Sequence, residues 1–204
     1  KLLLSLIAIL TLVSCNTEKK AKYVFYFIGD GMGFSHVAIT EAYKALDQTG
    51  KWGTTPLVFS QFPVLGMATT YSANFDITDS SAAGTALSTG TKTNNGYLGV
   101  DPDGNPLTSI SYKIHDSGKK VGIISTVDID HATPGAFYAH NISRNNYYEI
   151  GAEAPGTGFE FFAGGDFAMP SGRKRDQKDL VEMAEEAGYK VVYGIYEFNA
   201  AKGS

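Results

Sequence analysis

Apolar residues first run together over 2–13, behind the positive charge of Lys1. A bilayer span needs about 20 such residues, so this run is too short to cross one; its pattern is that of a secretory signal. Residues 23–28 (Tyr-Val-Phe-Tyr-Phe-Ile) are continuously aromatic and β-branched, which predicts a buried strand. Glycines at 29, 31 and 33 break it. Helical spacing follows over 34–46, with Ala38, Ala42, Ala45 and Leu46 on one face. The pattern then predicts a strand at 64–70 and a tightly packed helix of small residues at 79–88. A loop at 90–105 carries the turn signals Asn95-Gly96 and Asp103-Gly104. An amphipathic helix at 107–117, strands at 120–127 and 159–163, a charged helix at 176–187 and a last strand at 190–193 complete the pass. Strands alternating with helices predict an α/β domain with a largely parallel sheet.

Composition narrows this only a little. The 204 residues carry 17 Lys+Arg against 21 Asp+Glu, with 43% hydrophobic and 19% charged residues. That balance is globular and excludes general disorder. Without a basic excess, nothing in the charge points to nucleic acid. One cysteine excludes an internal disulfide framework. Its position matters more. Cys15 closes Leu12-Val13-Ser14-Cys15, which resembles a bacterial lipoprotein box. The expected organisation is a signal peptide at 1–14, a lipidated Cys15 with a polar tether to 22, and a domain from 23 to 204. The lipid would serve as a membrane anchor. The plainer alternative is an incidental cysteine beside an ordinary secretory cleavage site. Either way the mature protein is exported, to a periplasm or to a membrane or cell surface by its lipid.

Three segments could carry chemistry. Gly29-Asp30-Gly31-Met32-Gly33 follows a predicted strand and precedes a helix. A dinucleotide fingerprint fails because position 34 is Phe34, and a P-loop fails because no Gly-Lys-Ser/Thr follows. Asp30 remains, at the carboxyl end of a strand, where parallel sheets bind ligands. Flanking glycines leave room for a hard cation; a turn or cap aspartate is the plain alternative. The second segment, Thr78-Asp79-Ser80-Ser81, opens a helix. Such a position suits an N-cap, and equally an alkoxide or a phosphate at the positive end of the macrodipole. In the third, His131 and Thr133 are spaced to face one cation or its water. Arg144 offers a planar fork for two phosphate oxygens, or a surface ion pair.

Taken in this order, the three segments resemble alkaline phosphatase. The matching stretches are 27–33, 78–90 and 131–144; Lys92-Thr93-Asn94-Asn95-Gly96 and Phe162-Ala163-Gly164-Gly165 fit the same family. The resemblance implies a three-layer sandwich around a parallel sheet, and hydrolysis of phosphate monoesters with two zinc ions and one magnesium. It implies Asp30 as a bridging ligand of zinc and magnesium, and Thr133 as a magnesium ligand. It implies Ser80 as nucleophile and zinc ligand, with Ser81 as rival. Asp79 would orient Arg144, and Arg144 would grip the phosphate. His131 stands where the family carries Asp or His, and an imidazole tilts the third site toward zinc. His140 reads as structural; His36 and His115 read as surface or packing residues.

After Arg144 no Asp-x-x-x-His or Asp-His zinc motif occurs. The expectation is therefore an N-terminal portion of a longer, commonly dimeric enzyme. Its sheet would be incomplete, and the isolated chain would be a poor catalyst. Other metal-dependent phosphoesterases of the same superfamily are the nearest alternative. A lipid-anchored phosphate binder without turnover is the alternative from another class. The lack of a Cys/Ser-x-Pro-x-Arg motif disfavours a sulfatase.

Overall fold

The computed structural model describes residues 21–201. The predicted signal peptide and Cys15 lie outside the described residues. Helix α1 spans Phe34–Thr49, three residues beyond its predicted end. Gly50 stops it at φ 68°, donating its N–H to the Leu46 carbonyl at 2.8 Å. A left-handed backbone at that step suits glycine. Helix α2 spans Ser80–Thr89, between an Asp79 cap and a left-handed Gly90. Next come α3 (Ile110–Asp116), strand β1 (Gly122–Ile124), the short α4 (Ala132–Gly135) and α5 (Tyr147–Glu153). Strand β2 (Phe161–Ala163), α6 (Leu180–Glu186) and α7 (Gly194–Ala201) complete the order.

β1 and β2 pair in parallel, with Gly122 opposite Phe161 and Ile124 opposite Ala163. Hydrogen bonds between the two chains continue past the strands, from Ser125 N to Ala163 O, Gly165 N to Val127 O and Ile129 N to Asp166 O, each 2.9 Å. That zipper delivers residues 128–133 to the site. The core lies beside it: Leu98, Ala136, Tyr138, Ala139, Ile150, Ala154 and Phe159 are buried together. Tyr112 tilts against Phe159 at 5.1 Å, and Phe162 meets Tyr138 edge-on at 5.4 Å. Burying each large side chain contributes roughly 1.5–3 kcal/mol.

Helix α2 packs on α4 through small residues. A Cβ on Gly84 would meet the Ala136 Cβ at 2.9 Å, so the two helices touch nearly backbone to backbone. Buried Ser88 donates to the Ala136 carbonyl at 2.6 Å and fixes the same contact.

Several expected elements differ. Residues 23–28 run extended without a strand partner, and Val24, Phe25 and Phe27 are 78%, 79% and 87% exposed. Residues 64–70 likewise form no strand, and Leu65 and Met67 are almost fully exposed. The cause is that a strand is completed by a neighbour. These runs have the composition for burial, but among the described residues no ladder lies against them. Residues 190–193 form no strand either; Tyr193 N–H donates to Glu197 Oε2 at 2.7 Å, at the start of α7, which the pattern did not anticipate. Helix α3 starts at Ile110, three residues later than expected, and α6 at Leu180, because the Asp179 carboxylate accepts the Val181 N–H.

Candidate active site

Asp30 sits at the tip of the extended 23–28 segment, in a turn closed by Met32 N–H to Gly29 O at 3.1 Å. Gly31 takes φ 67° there, a conformation L side chains resist. The turn presents the carboxylate outward, and each of its oxygens accepts one hydroxyl. Ser80 Oγ donates to Oδ1 at 3.0 Å, and Thr133 Oγ1 donates to Oδ2 at 2.9 Å. One carboxylate thus joins the mouth of α2 to the first turn of α4. The partners lie 50 and 103 positions away along the chain.

Asp79 builds the second half. As N-cap of α2, its Oδ1 accepts the Ala82 N–H at 2.9 Å. Its Oδ2 accepts the Ser81 hydroxyl at 2.7 Å, the Gly96 N–H at 3.0 Å and Arg144 Nη1 at 3.3 Å. Burial pushes this carboxyl up, but the Ala82, Ser81, Gly96 and Arg144 donors together outweigh it and hold it below the ordinary range. Asp79 is therefore anionic at neutral pH. Arg144 is about three-quarters buried and is also pinned by its own N–H to the Gly96 carbonyl at 2.7 Å. Its ion pair engages Nη1 alone, so the rest of the fork is available to an oxyanion.

The adjacent serines separate cleanly. Ser81 is fully buried and its hydroxyl is committed to Asp79. Ser80 is partly exposed and faces Asp30. His131 begins α4, and its Nδ1 is buried without a hydrogen-bond partner. A buried imidazole nitrogen without a partner is costly, and a metal ion is one species that satisfies it. Beneath it, fully buried Asp130 accepts the Ala168 N–H on both oxygens, at 3.0 and 3.1 Å. Burial pushes that carboxyl up to about 6, against the pull of the backbone amides.

The motif pattern marked the Asn95-Gly96 step only as a turn and a family match. Structurally it buttresses the site. Asn95 Oδ1 accepts the Asp79 N–H at 3.1 Å, and its Nδ2 donates to the Ile77 carbonyl at 2.9 Å. No sequence signal separates such a side-chain clamp from an ordinary turn asparagine. His140 has the structural setting expected of it, between Glu153 and the Leu107 carbonyl. His36 takes the Gly33 N–H at 3.1 Å in the cap of α1, and His115 packs on Phe159 at 5.4 Å.

The family model described as Alkaline phosphatase matches residues 21–163, a span holding Asp30, Ser80, Thr133 and Arg144. The chain belongs to the alkaline phosphatase family. Alkaline phosphatase 4 of Bacillus subtilis (strain 168) is 34% identical over 188 residues, covering 88% of this chain and 40% of that protein. The crystal structure of Thermus thermophilus alkaline phosphatase aligns with TM-score 0.74 at 35% identity, over 86% of this chain and 37% of that one. A histidine-to-aspartate variant of the enzyme from the Antarctic bacterium TAB5, solved with magnesium in its M3 site, aligns with TM-score 0.65 at 30% identity, over 78% of this chain and 46% of that one. The chain spans about two fifths of the Bacillus alkaline phosphatase. The α/β class read from the sequence is thus that of the alkaline phosphatase fold, with a two-stranded parallel sheet among the described residues.

Proposed function

We propose that the protein hydrolyses phosphate monoesters to an alcohol and inorganic phosphate through a phosphoserine intermediate on Ser80. One observation carries this reading: Asp30 holds the Ser80 and Thr133 hydroxyls together, while Asp79, next to Ser80, holds Arg144. A nucleophile, a cation-binding carboxylate and an oxyanion clamp therefore meet at one helix mouth. Membership of the family and the solved alkaline phosphatases support the same reaction.

Ser80 Oγ attacks phosphorus in line. An O–P bond forms to the serine as the ester O–P bond breaks, and the alcohol leaves with a proton. Water then attacks the phosphoserine, releasing phosphate and restoring the hydroxyl. Arg144 orients two non-bridging oxygens and balances their charge, which is where this reaction is chiefly catalysed. The positive end of α2 acts on the same oxygens. Asp79 keeps the fork of Arg144 turned toward that anion.

The side chains fit the two zinc ions and one magnesium of the family in part. Asp30 and Thr133 offer hard oxygens, and Ser80 stands on the same carboxylate. His131 offers a buried nitrogen without a partner. Among the described residues no three His, Cys, Asp or Glu side chains cluster to hold a metal ion. Asp30, Thr133, Ser80 and His131 would thus supply part of a set. When bound, the cations supply charge neutralisation and stabilise the leaving oxygen. Magnesium occupies the M3 site of a relative whose histidine has been replaced by aspartate, whereas this chain carries His131, an imidazole that tilts a third position toward zinc.

The reading extends to export with a lipid on Cys15, and to a homodimer of the full-length enzyme. Fatty-acid labelling tests the anchor: the label should be lost in Cys15→Ser, and its retention would refute lipidation there. For the reaction, Ser80→Ala should keep phosphate binding and lose phosphoserine. Phosphate binding with no phosphoserine even in the wild type would return the protein to the class of non-catalytic phosphate binders.

A further inference from the structure

The Asp79 carboxylate distributes its partners unevenly. Oδ1 accepts only the Ala82 N–H among the bonds described, whereas Oδ2 accepts Ser81, Gly96 and Arg144 at 2.7, 3.0 and 3.3 Å. A carboxylate oxygen has two lone-pair directions, so a third donor is accommodated only by lengthening. The bond that gives is the one to Arg144. Gly96 cannot yield, because its N–H is a backbone donor in a segment tied down by Asn95 and by Arg144 N–H. Ser81 does not yield either: it is fully buried in the first turn of α2, with its hydroxyl next to the carboxylate.

We infer that Ser81 is a positioning residue that loosens the Asp79–Arg144 pair and so sets how tightly the protein holds and releases phosphate. The inference rests on the reading of Arg144 as the phosphate clamp. With the serine hydroxyl on Oδ2, the guanidinium is held by one long bond and retains rotational freedom. That freedom must be frozen when an oxyanion is gripped, which weakens binding and speeds release. Removing the hydroxyl leaves Oδ2 with two donors for two lone pairs. Arg144 then closes on Asp79 and is preorganised. No buried acceptor is orphaned by the change, since Asp79 keeps its other partners.

The test compares wild type, Ser81→Ala and Ser81→Thr, with Thr restoring the hydroxyl. Nitrogen-15 relaxation and exchange of the Arg144 guanidinium read the pair without any substrate. Guanidinium rotation should slow about three- to tenfold in Ser81→Ala and return toward wild type in Ser81→Thr. In the zinc- and magnesium-loaded full-length protein, the Kd for inorganic phosphate and the KM for a phosphomonoester should both fall about threefold or more in Ser81→Ala. In the same variant kcat should fall where product release limits it. Unchanged or faster Arg144 motion in a folded Ser81→Ala overturns the inference, as does an unchanged phosphate Kd. If the guanidinium slows but no variant binds phosphate, the coupling of Ser81 to Arg144 stands and the functional reading fails. Should Ser81→Thr not fold, Ser81→Ala with wild type decides alone.

Discussion

Asp79 is where one side chain does most to hold the site. It caps α2, receives the Gly96 amide from a separate loop and anchors Arg144. Asp79→Ala removes a cap and leaves the Gly96 N–H without its acceptor, which together cost about 2–4 kcal/mol. Chemical denaturation should show that loss, and a change within about 0.5 kcal/mol would contradict it. At this scale the sequence was most legible where side chains act through chemical type. Asp30, Ser80, Thr133 and Arg144 announce themselves as carboxylate, hydroxyls and guanidinium in recognisable motifs, and the structure brings Asp30, Ser80 and Thr133 together at hydrogen-bond distance. Asn95 and the Gly96 amide were not legible as site parts, because their contribution is a backbone and amide geometry set by the fold.

Among the elements, the antiparallel bridge between Leu98 and Asn141 shows why one glycine is required. Leu98 and Asn141 exchange backbone hydrogen bonds at 2.9 and 2.8 Å, and next to them Gly99 has φ 61°. A Cβ there would fall 1.9 Å from the Ala139 carbonyl oxygen. Gly99→Ala should destabilise by at least about 2 kcal/mol in a denaturant titration, through both strain and overlap. The same loop is braced by His140, whose Nδ1 meets Glu153 Oε2 at 2.9 Å and whose Nε2 meets the Leu107 carbonyl at 3.0 Å. Both ring nitrogens face acceptors, so the geometry suits an imidazolium. The Glu153 hydrogen bond raises the His140 pKa above its ordinary value, against the effect of burial. A raised histidine stabilises fully below its unfolded pKa of about 6.5 and loses that contribution as pH rises through the folded value. The denaturation midpoint should therefore drop as pH rises above about 6.5, and Glu153→Gln should flatten the drop. A pH dependence unaltered by Glu153→Gln would sink this assignment.

Helices proved more legible than strands for a physical reason. α1 and α2 are local structures closed by their own caps, Gly33 and Gly50, Asp79 and Gly90. A strand is not local. The runs at 120–127 and 159–163 found each other, whereas 23–28 and 64–70 have strand composition without a ladder.

For the whole molecule this leaves much apolar surface open. Val24, Phe25, Phe27, Val64, Leu65 and Met67 are each at least 78% exposed, with Ile124 of β1 at 72%. Apolar side chains exposed in this number promote association. The purified 204-residue chain should sediment as concentration-dependent oligomers, and a monodisperse monomer with a sharp melt would argue otherwise. It should also turn over phosphate esters poorly, given the partial ligand set; brisk metal-dependent turnover by that chain would contradict the assignment of ligands.

If Ser80 is the nucleophile, acid-quenched phosphopeptide mapping of the metal-loaded full-length protein during turnover will find the phosphoryl group on it. Phosphate should be on the hydroxyl of Ser80, absent from Ser80→Ala and present in Ser81→Ala. Label on Ser81, or steady hydrolysis with no covalent phosphate on either serine, would contradict it.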